Sequence, residues 1–158
     1  QILIAASNGK LVRFEESDVR PMGRTASGVK GINVDGSEVI GMTTDKEGKY
    51  ILVVTSLGYG KMSDIEEYRI CNRGGKGVKT LNATARNGQI VALRAVNGDE
   101  DLMMITSDGI IIRLPMEQVK MSGRATQGVR LIRVTEGQVV ATVEIVEKTD
   151  TNEEGDSL

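Results

Sequence analysis

A short glycine-terminated motif that recurs three times at nearly constant spacing limits this chain more than any other feature. Ser7-Asn8-Gly9, Ser56-Leu57-Gly58 and Ser107-Asp108-Gly109 are separated by 49 and 51 residues. In every copy an arginine follows the glycine by fifteen positions (Arg24, Arg73, Arg124), and a Gly-Val pair begins four residues later at Gly28, Gly77 and Gly128. Ahead of each motif runs a short apolar segment: Ile2 to Ala6, Ile51 to Thr55 and Leu102 to Thr106. Each is the length of one buried strand. A second strand is expected over Lys10 to Phe14, Gly60 to Ser63 and Ile110 to Leu114, a third opening at the Gly-Val pair, and a fourth at Val39, Ile90 or Val139. Four strands per unit of about fifty residues is the period of propeller-like blades. The expected class is therefore all-β, with about three four-stranded blades over residues 1–47, 48–98 and 99–147.

Helices have little room. Glu15 to Val19, Asp64 to Tyr68 and Met116 to Val119 can each form one helical turn, which makes them connectors. Three blades do not close a ring, because propellers use roughly 4–8. A partial ring is expected, and Gln1 in place of an initiator methionine agrees with a piece cut from a longer chain. Residues 148–158 carry one basic and four acidic side chains and read as a solvated, disordered acidic tail.

Composition removes several functions. The chain has no histidine and a single cysteine, Cys71, so triad hydrolysis, histidine-ligated metal chemistry and an internal disulfide are excluded. Cys71 and the pair Met103-Met104 read as packing residues. Only Phe14, Tyr50, Tyr59 and Tyr68 are aromatic, too few for a base-stacking platform, so any nucleic acid must be held by its backbone. No segment approaches the ~20 apolar residues of a membrane span, and the N-terminus lacks the pattern of a secretory signal. A cytoplasmic location is expected, with no membrane partner and no cofactor in this chain.

The formal charge is −2, but its distribution is uneven. Arg69 to Gly98 contains Arg69, Arg73, Lys76, Lys79, Arg86 and Arg94 and no acid. Val19 to Val34, with Arg20, Arg24 and Lys30, and Gln118 to Thr135, with Lys120, Arg124, Arg130 and Arg133, are also acid-free. Repetition places these segments at one position on each blade, so they line a curved positive track suited to the phosphates of duplex DNA. Within the track, Arg73-Gly74-Gly75-Lys76-Gly77 combines flexible glycines with two cations and can cradle phosphate without reading bases. Lys76 replaces Ser27 and Gln127 of the sister repeats, so the fold does not call for its charge. Lys61 completes the set of candidate DNA-binding cations. For the repeated arginines two roles stand open: a clamp on a neighbouring carbonyl, or a phosphate ligand. Gly28, Gly77 and Gly128 read as turn or strand-entry glycines.

Several stretches resemble the C-terminal domain of the DNA gyrase A protein, a six-bladed β-pinwheel of the type II topoisomerases. They are Gly-Lys-Leu-Val-Arg-Phe-Glu-Glu-Ser-Asp-Val-Arg (9 to 20), Gly-Arg-Thr-Ala-Ser-Gly-Val-Lys-Gly-Ile (23 to 32), Met-Met-Ile-Thr-Ser-Asp-Gly (103 to 109) and Gly-Arg-Ala-Thr-Gln-Gly-Val-Arg-Leu-Ile-Arg (123 to 133). The resemblance covers Ile2 to about Lys148 and points to the later blades. It implies a domain that wraps duplex DNA with a positive superhelical sense and serves ATP-driven negative supercoiling. The implied partners are the gyrase A core and gyrase B in an A2B2 enzyme, with ATP and magnesium belonging to the whole enzyme. Residues 73–77 match the last five positions of the family's Gln-Lys/Arg-Arg-Gly-Gly-Lys-Gly box, while Cys71 and Asn72 depart from its first two. None of Tyr50, Tyr59 and Tyr68 lies in the context of the family's nucleophilic tyrosine. The C-terminal domain of topoisomerase IV and a protein-binding propeller with a basic rim are the alternatives. The acidic tail, by the same resemblance, competes with DNA for the rim.

Overall fold

The computed structural model describes residues 1–148, and the tail expected over 148–158 lies outside them apart from Lys148. Eleven strands follow one another: β1 (Ile2–Ala6), β2 (Lys10–Phe14), β3 (Val39–Thr44), β4 (Tyr50–Thr55), β5 (Tyr59–Asp64), β6 (Val78–Lys79), β7 (Ile90–Val96), β8 (Asp101–Thr106), β9 (Ile111–Pro115), β10 (Val129–Arg130) and β11 (Val140–Val146). The three connectors form single 3-10 turns at Glu16–Asp18, Ile65–Glu67 and Met116–Gln118. The architecture is all-β and propeller-like, a partial ring of repeated antiparallel sheets.

The sheets run β3-β1-β2-β6, β7-β4-β5-β10 and β11-β8-β9. This order corrects the expected blade composition. The third strand of a repeat does not join its own blade; it crosses to the outer edge of the preceding one. Thus β6 of the second repeat pairs with β2 of the first, Leu11 opposite Val78 and Lys10 opposite Lys79. In the same way β10 of the third repeat pairs with β5, Gly60 opposite Val129 and Tyr59 opposite Arg130. The third blade accordingly has three strands among the described residues, and no strand forms at Gly28-Val29. Strand pairing depends on a neighbour lying alongside, which a repeat unit cannot specify from within.

Each blade is a twisted antiparallel sheet in which the repeat's first strand lies between its second and its fourth, and the twist is marked by a register shift at one equivalent place. It falls between Ala5 and Ala6, between Val54 and Thr55, and between Val140 and Thr142 opposite Thr106. A bulge there increases the local right-handed twist. The glycine of each motif ends the tight turn, with Gly9, Gly58 and Gly109 donating to the carbonyls of Ala6, Thr55 and Thr106 at 3.0–3.1 Å.

The core lies between blades. Leu3, Leu11, Ile51, Val53, Leu81 and Leu93 fill the first interface; Leu52, Val54, Leu102, Met104, Met116 and Val143 fill the second. Full burial of each such side chain stabilises by about 1.5–3 kcal/mol. Because β4 has a sheet on both faces, Ile51 to Thr55 are all at most 1% exposed. In the outer blades the similar apolar runs are only partly buried: Leu102, Met104 and Thr106 alternate in β8, and in β1 Leu3, Ala5 and Ala6 are buried while Ile2 and Ile4 are half-exposed. Phe14, Val12 and Ile32 form a third, smaller cluster where the loop 19–34 folds over the first blade.

Candidate nucleic-acid interface

Strand β7 packs against both β3 and β11, so the fourth strands of the three repeats face one another along one side of the arc. The crossed-over strands occupy the opposite sheet edge, and with them come the basic segments. The motif glycine fixes this joint. Gly9 O accepts from the Thr80 amide at 2.8 Å, and Gly58 O accepts from the Leu131 amide at 2.8 Å. A Cβ on Gly9 would lie 2.4 Å from Leu81 O and one on Gly58 2.3 Å from Ile132 O, so only glycine lets the next repeat approach. At Gly109 nothing among the described residues lies within 4 Å of such a Cβ.

Successive basic loops are also stitched to each other. The Asn33 amide donates to Gly75 O at 2.8 Å, and its counterpart, the Asn82 amide, donates to Thr126 O at 3.0 Å. The repeated arginine adds a side-chain bridge. Arg73 Nη1 donates to Lys30 O and Arg124 Nη1 to Lys79 O, both at 2.8 Å. Of the two roles open to these arginines, the structure displays the carbonyl clamp; it joins three loops into one belt along the outer edge.

Most predicted cations stand on that belt in water. Arg20, Arg24, Lys30, Arg69, Lys76, Lys79, Arg86, Lys120, Arg130 and Arg133 are exposed, as is Gly75, while Arg73, Gly74, Gly77 and Arg124 are half-buried. Among the described residues only Lys76 of this set forms an ion pair, with Asp35 at 3.1 Å, both side chains 61% exposed. A pair so exposed contributes little and yields readily to a phosphate. Gly77 has its backbone against the first blade, where a Cβ would sit 2.2 Å from Leu11 O, so it serves strand entry.

Lys61 requires a correction. It is fully buried, and its ammonium donates to Gly123 O and Arg124 O at 2.6 Å and to Ser63 Oγ at 3.3 Å. Burial, opposed by the Glu67 charge, lowers its pKa to about 8. No donor is left for DNA; the residue ties the second blade to the third repeat's basic loop. A position flanked by Gly60 and Met62 in an outer strand gave no sign of the loop that covers it. Arg13, which sequence reasoning passed over, does the same at the first joint. It is 6% exposed and donates to Ile65 O at 2.9 Å and Tyr68 O at 2.8 Å, anchoring the second repeat's 3-10 turn.

Two further residues were not legible as site residues. Lys10 lies directly opposite Lys79 in the β2–β6 ladder, a like-charge pair that destabilises a sheet when nothing neutralises it. Tyr59 lies opposite Arg130, whose guanidinium sits 5.4 Å from the ring centroid and donates to the phenol oxygen at 3.0 Å. Only the crossed-over pairing brings these partners together. Arg94, by contrast, leaves the belt: it donates to Val143 O at 3.1 Å between neighbouring blades. Among the described residues no group of three or more acids and cysteines could hold a metal, and no helix is long and apolar enough to cross a membrane.

Comparison with known proteins places this geometry. A family described as "DNA gyrase C-terminal domain, beta-propeller" matches residues 1–44, 49–97 and 100–147. The gyrase A protein of Staphylococcus epidermidis is 51% identical over 154 residues, 96% of this chain and 17% of its own length. Its counterpart in Staphylococcus aureus (strain MRSA252) is 49% identical over 158 residues, 98% of this chain and 18% of its own. The chain thus spans under a fifth of these relatives. Among solved structures, a DNA gyrase A C-terminal domain superposes with a TM-score of 0.83 at 21% identity, covering 92% of this chain and 50% of that one. The C-terminal domain of DNA topoisomerase IV gives the same TM-score of 0.83 at 25% identity, covering 92% of this chain and 46% of that one.

Proposed function

The chain belongs to the family of DNA gyrase C-terminal β-propeller domains, and from that premise we propose that it binds and wraps duplex DNA around its outer edge. The observation that carries this reading is the stitched belt, in which Asn33–Gly75, Asn82–Thr126 and the two arginine clamps hold three acid-free loops side by side. A rigid curved row of guanidinium and ammonium groups matches a polyanion of regular charge spacing and demands that the duplex bend to follow it. Base edges are not read, since the belt offers charge and backbone and its one aromatic, Tyr59, is buried under Arg130.

In this reading the fragment is a non-catalytic part of DNA gyrase. It presents a positively wrapped segment to the gyrase A core, and ATP-driven strand passage in the A2B2 enzyme, with gyrase B, converts it into negative supercoils. ATP and magnesium act elsewhere in that enzyme; this chain needs neither. The place of action is the cytoplasm, at the nucleoid.

The test is topological. Relaxed, nicked plasmid ligated with and without the domain and resolved in chloroquine gels is expected to show a positive shift in linking number. Retarded DNA with unchanged linking number would reduce the role to binding, and no retention at low salt would remove it. The similarity to topoisomerase IV supports a second reading. In the full enzyme, decatenation without supercoiling would favour it.

A further inference from the structure

Beside the outer edge of the second blade lies an open hollow of about 670 Å³, lined by Tyr59, Arg86, Arg130 and Arg133 and by the backbone from Gln127 to Ile132. No carboxylate lines it among the described residues; Glu136 borders only the adjoining hollow of about 470 Å³. We propose that Tyr59, Arg86, Arg130 and Arg133 form a seat for a single backbone phosphate, the fixed anchor point of the belt. The proposal rests on the duplex-binding reading and says where one phosphate is gripped.

Three like charges around one hollow repel each other unless an anion joins them. Folding nevertheless assembles them from separate places: Arg86 from the loop before β7, Arg130 from the crossed-over β10, Arg133 just after it. The seat therefore exists only once the third repeat has docked on the second. Tyr59 makes it rigid. Its ring is 7% exposed, its phenol oxygen accepts from Arg130 Nη2 at 3.0 Å, and the guanidinium lies 5.4 Å from the ring centroid. A guanidinium held by one edge keeps its other N–H groups for a ligand, and a planar fork suits phosphate oxygens. The Arg86 guanidinium, then that of Arg130, holds the Tyr59 hydroxyl below the usual tyrosine range, a sign that the hollow favours negative charge. At the equivalent place on the first blade Lys10 faces Lys79 with no ring between them, so that site lacks this rigidity.

Counterion release separates one shared phosphate from several independent contacts, because the salt slope counts phosphates neutralised. Duplex affinity is measured against salt for the full chain and for Arg86→Gln, Arg133→Gln and the double variant, with circular dichroism checking the fold. Affinity is expected to fall about tenfold in the double variant, with the log–log slope shallower by about 1. A slope shallower by about 2 would show two separate contacts and overturn the seat. Unchanged affinity and slope, with duplex still bound, would overturn the seat and leave the wrapping reading standing. No duplex binding by the unaltered chain would sink both. Tyr59→Phe, which keeps the ring and loses the hydroxyl, is expected to weaken binding a few-fold at unchanged slope; no loss would contradict the role given to that hydroxyl.

Discussion

The two joints between blades use the same backbone device and different side chains to lock it. At both, a two-residue strand crosses to the preceding blade, a motif glycine accepts from the amide of the residue that follows that strand, and an arginine bridges to the carbonyl of the preceding loop's basic residue. The lock beneath differs. The first joint is held by Arg13, spread over Ile65 O, Tyr68 O and the Gln1 side chain; the second by Lys61, held at 2.6 Å by two carbonyls. These cations occupy adjacent positions of the repeat, so they leave the outer strand on opposite faces. The repeat thus fixes where a joint forms, while each joint finds its own way to satisfy the carbonyls that docking buries.

Substitution at the strand-entry glycines should break this comparison most severely. In Gly77→Ala the new Cβ would sit 2.2 Å from Leu11 O at a φ of +76°, whereas in Gly128→Ala the nearest atom, Gly60 O, is 2.9 Å away at +77°. Both carry the left-handed penalty of about 1–2 kcal/mol, but only the first drives a methyl deep into a backbone carbonyl. We expect Gly77→Ala to lose more than ~3 kcal/mol and Gly128→Ala about half as much, measured by urea denaturation. Equal losses would mean that the joints are equally tight.

Removing the locks comes next. Arg13→Met strips Tyr68 O of its side-chain donor and Ile65 O of one of its two donors, the other being the Tyr68 amide, and should cost about 2–3 kcal/mol; Lys61→Met should cost about 1–2, because burying its ammonium already carries a penalty. A larger loss at Lys61 would reverse the ranking. The pH dependence sharpens the same point. Lys61 titrates at about 8 when folded against 10.5 for an ordinary lysine, so between these values the unfolded chain holds more protons. Its burial penalty is full below pH 8, and stability should rise toward 10.5 by up to a few kcal/mol. Urea titrations across that window are expected to show this rise in the parent chain relative to Lys61→Met. Parallel curves would remove the assignment.

The smallest effect should appear on the belt. Lys10→Ala relieves the charge facing Lys79 and is expected to stabilise the fold by a few tenths of a kcal/mol while lowering duplex affinity. A loss of stability would mean that Lys10 packs as a structural residue.

Much of this was legible in the chain because repetition is visible without coordinates. The apolar runs marked β1, β4 and β8, the motif glycines marked their turns, and the acid-free segments marked what became the belt. Lys61 shows where that legibility ends. Nothing in Tyr59-Gly60-Lys61-Met62 distinguishes a rim cation from a buried one, since the covering loop arrives from about sixty residues later. Tyr59 and Lys10 went unseen for a related reason: their partners sit across a ladder formed with the next repeat.

Period, apolar patterning and charge blocks are local properties, and local sterics and hydrophobicity convert them directly into strands, turns and exposed loops. The amino-acid order therefore settled the class, the number of repeats and the segments that meet water. Which strand completes which blade, which cations are spent on carbonyls and which remain for a ligand depended on pairing between distant segments. Only the packed fold brings those segments within hydrogen-bonding reach.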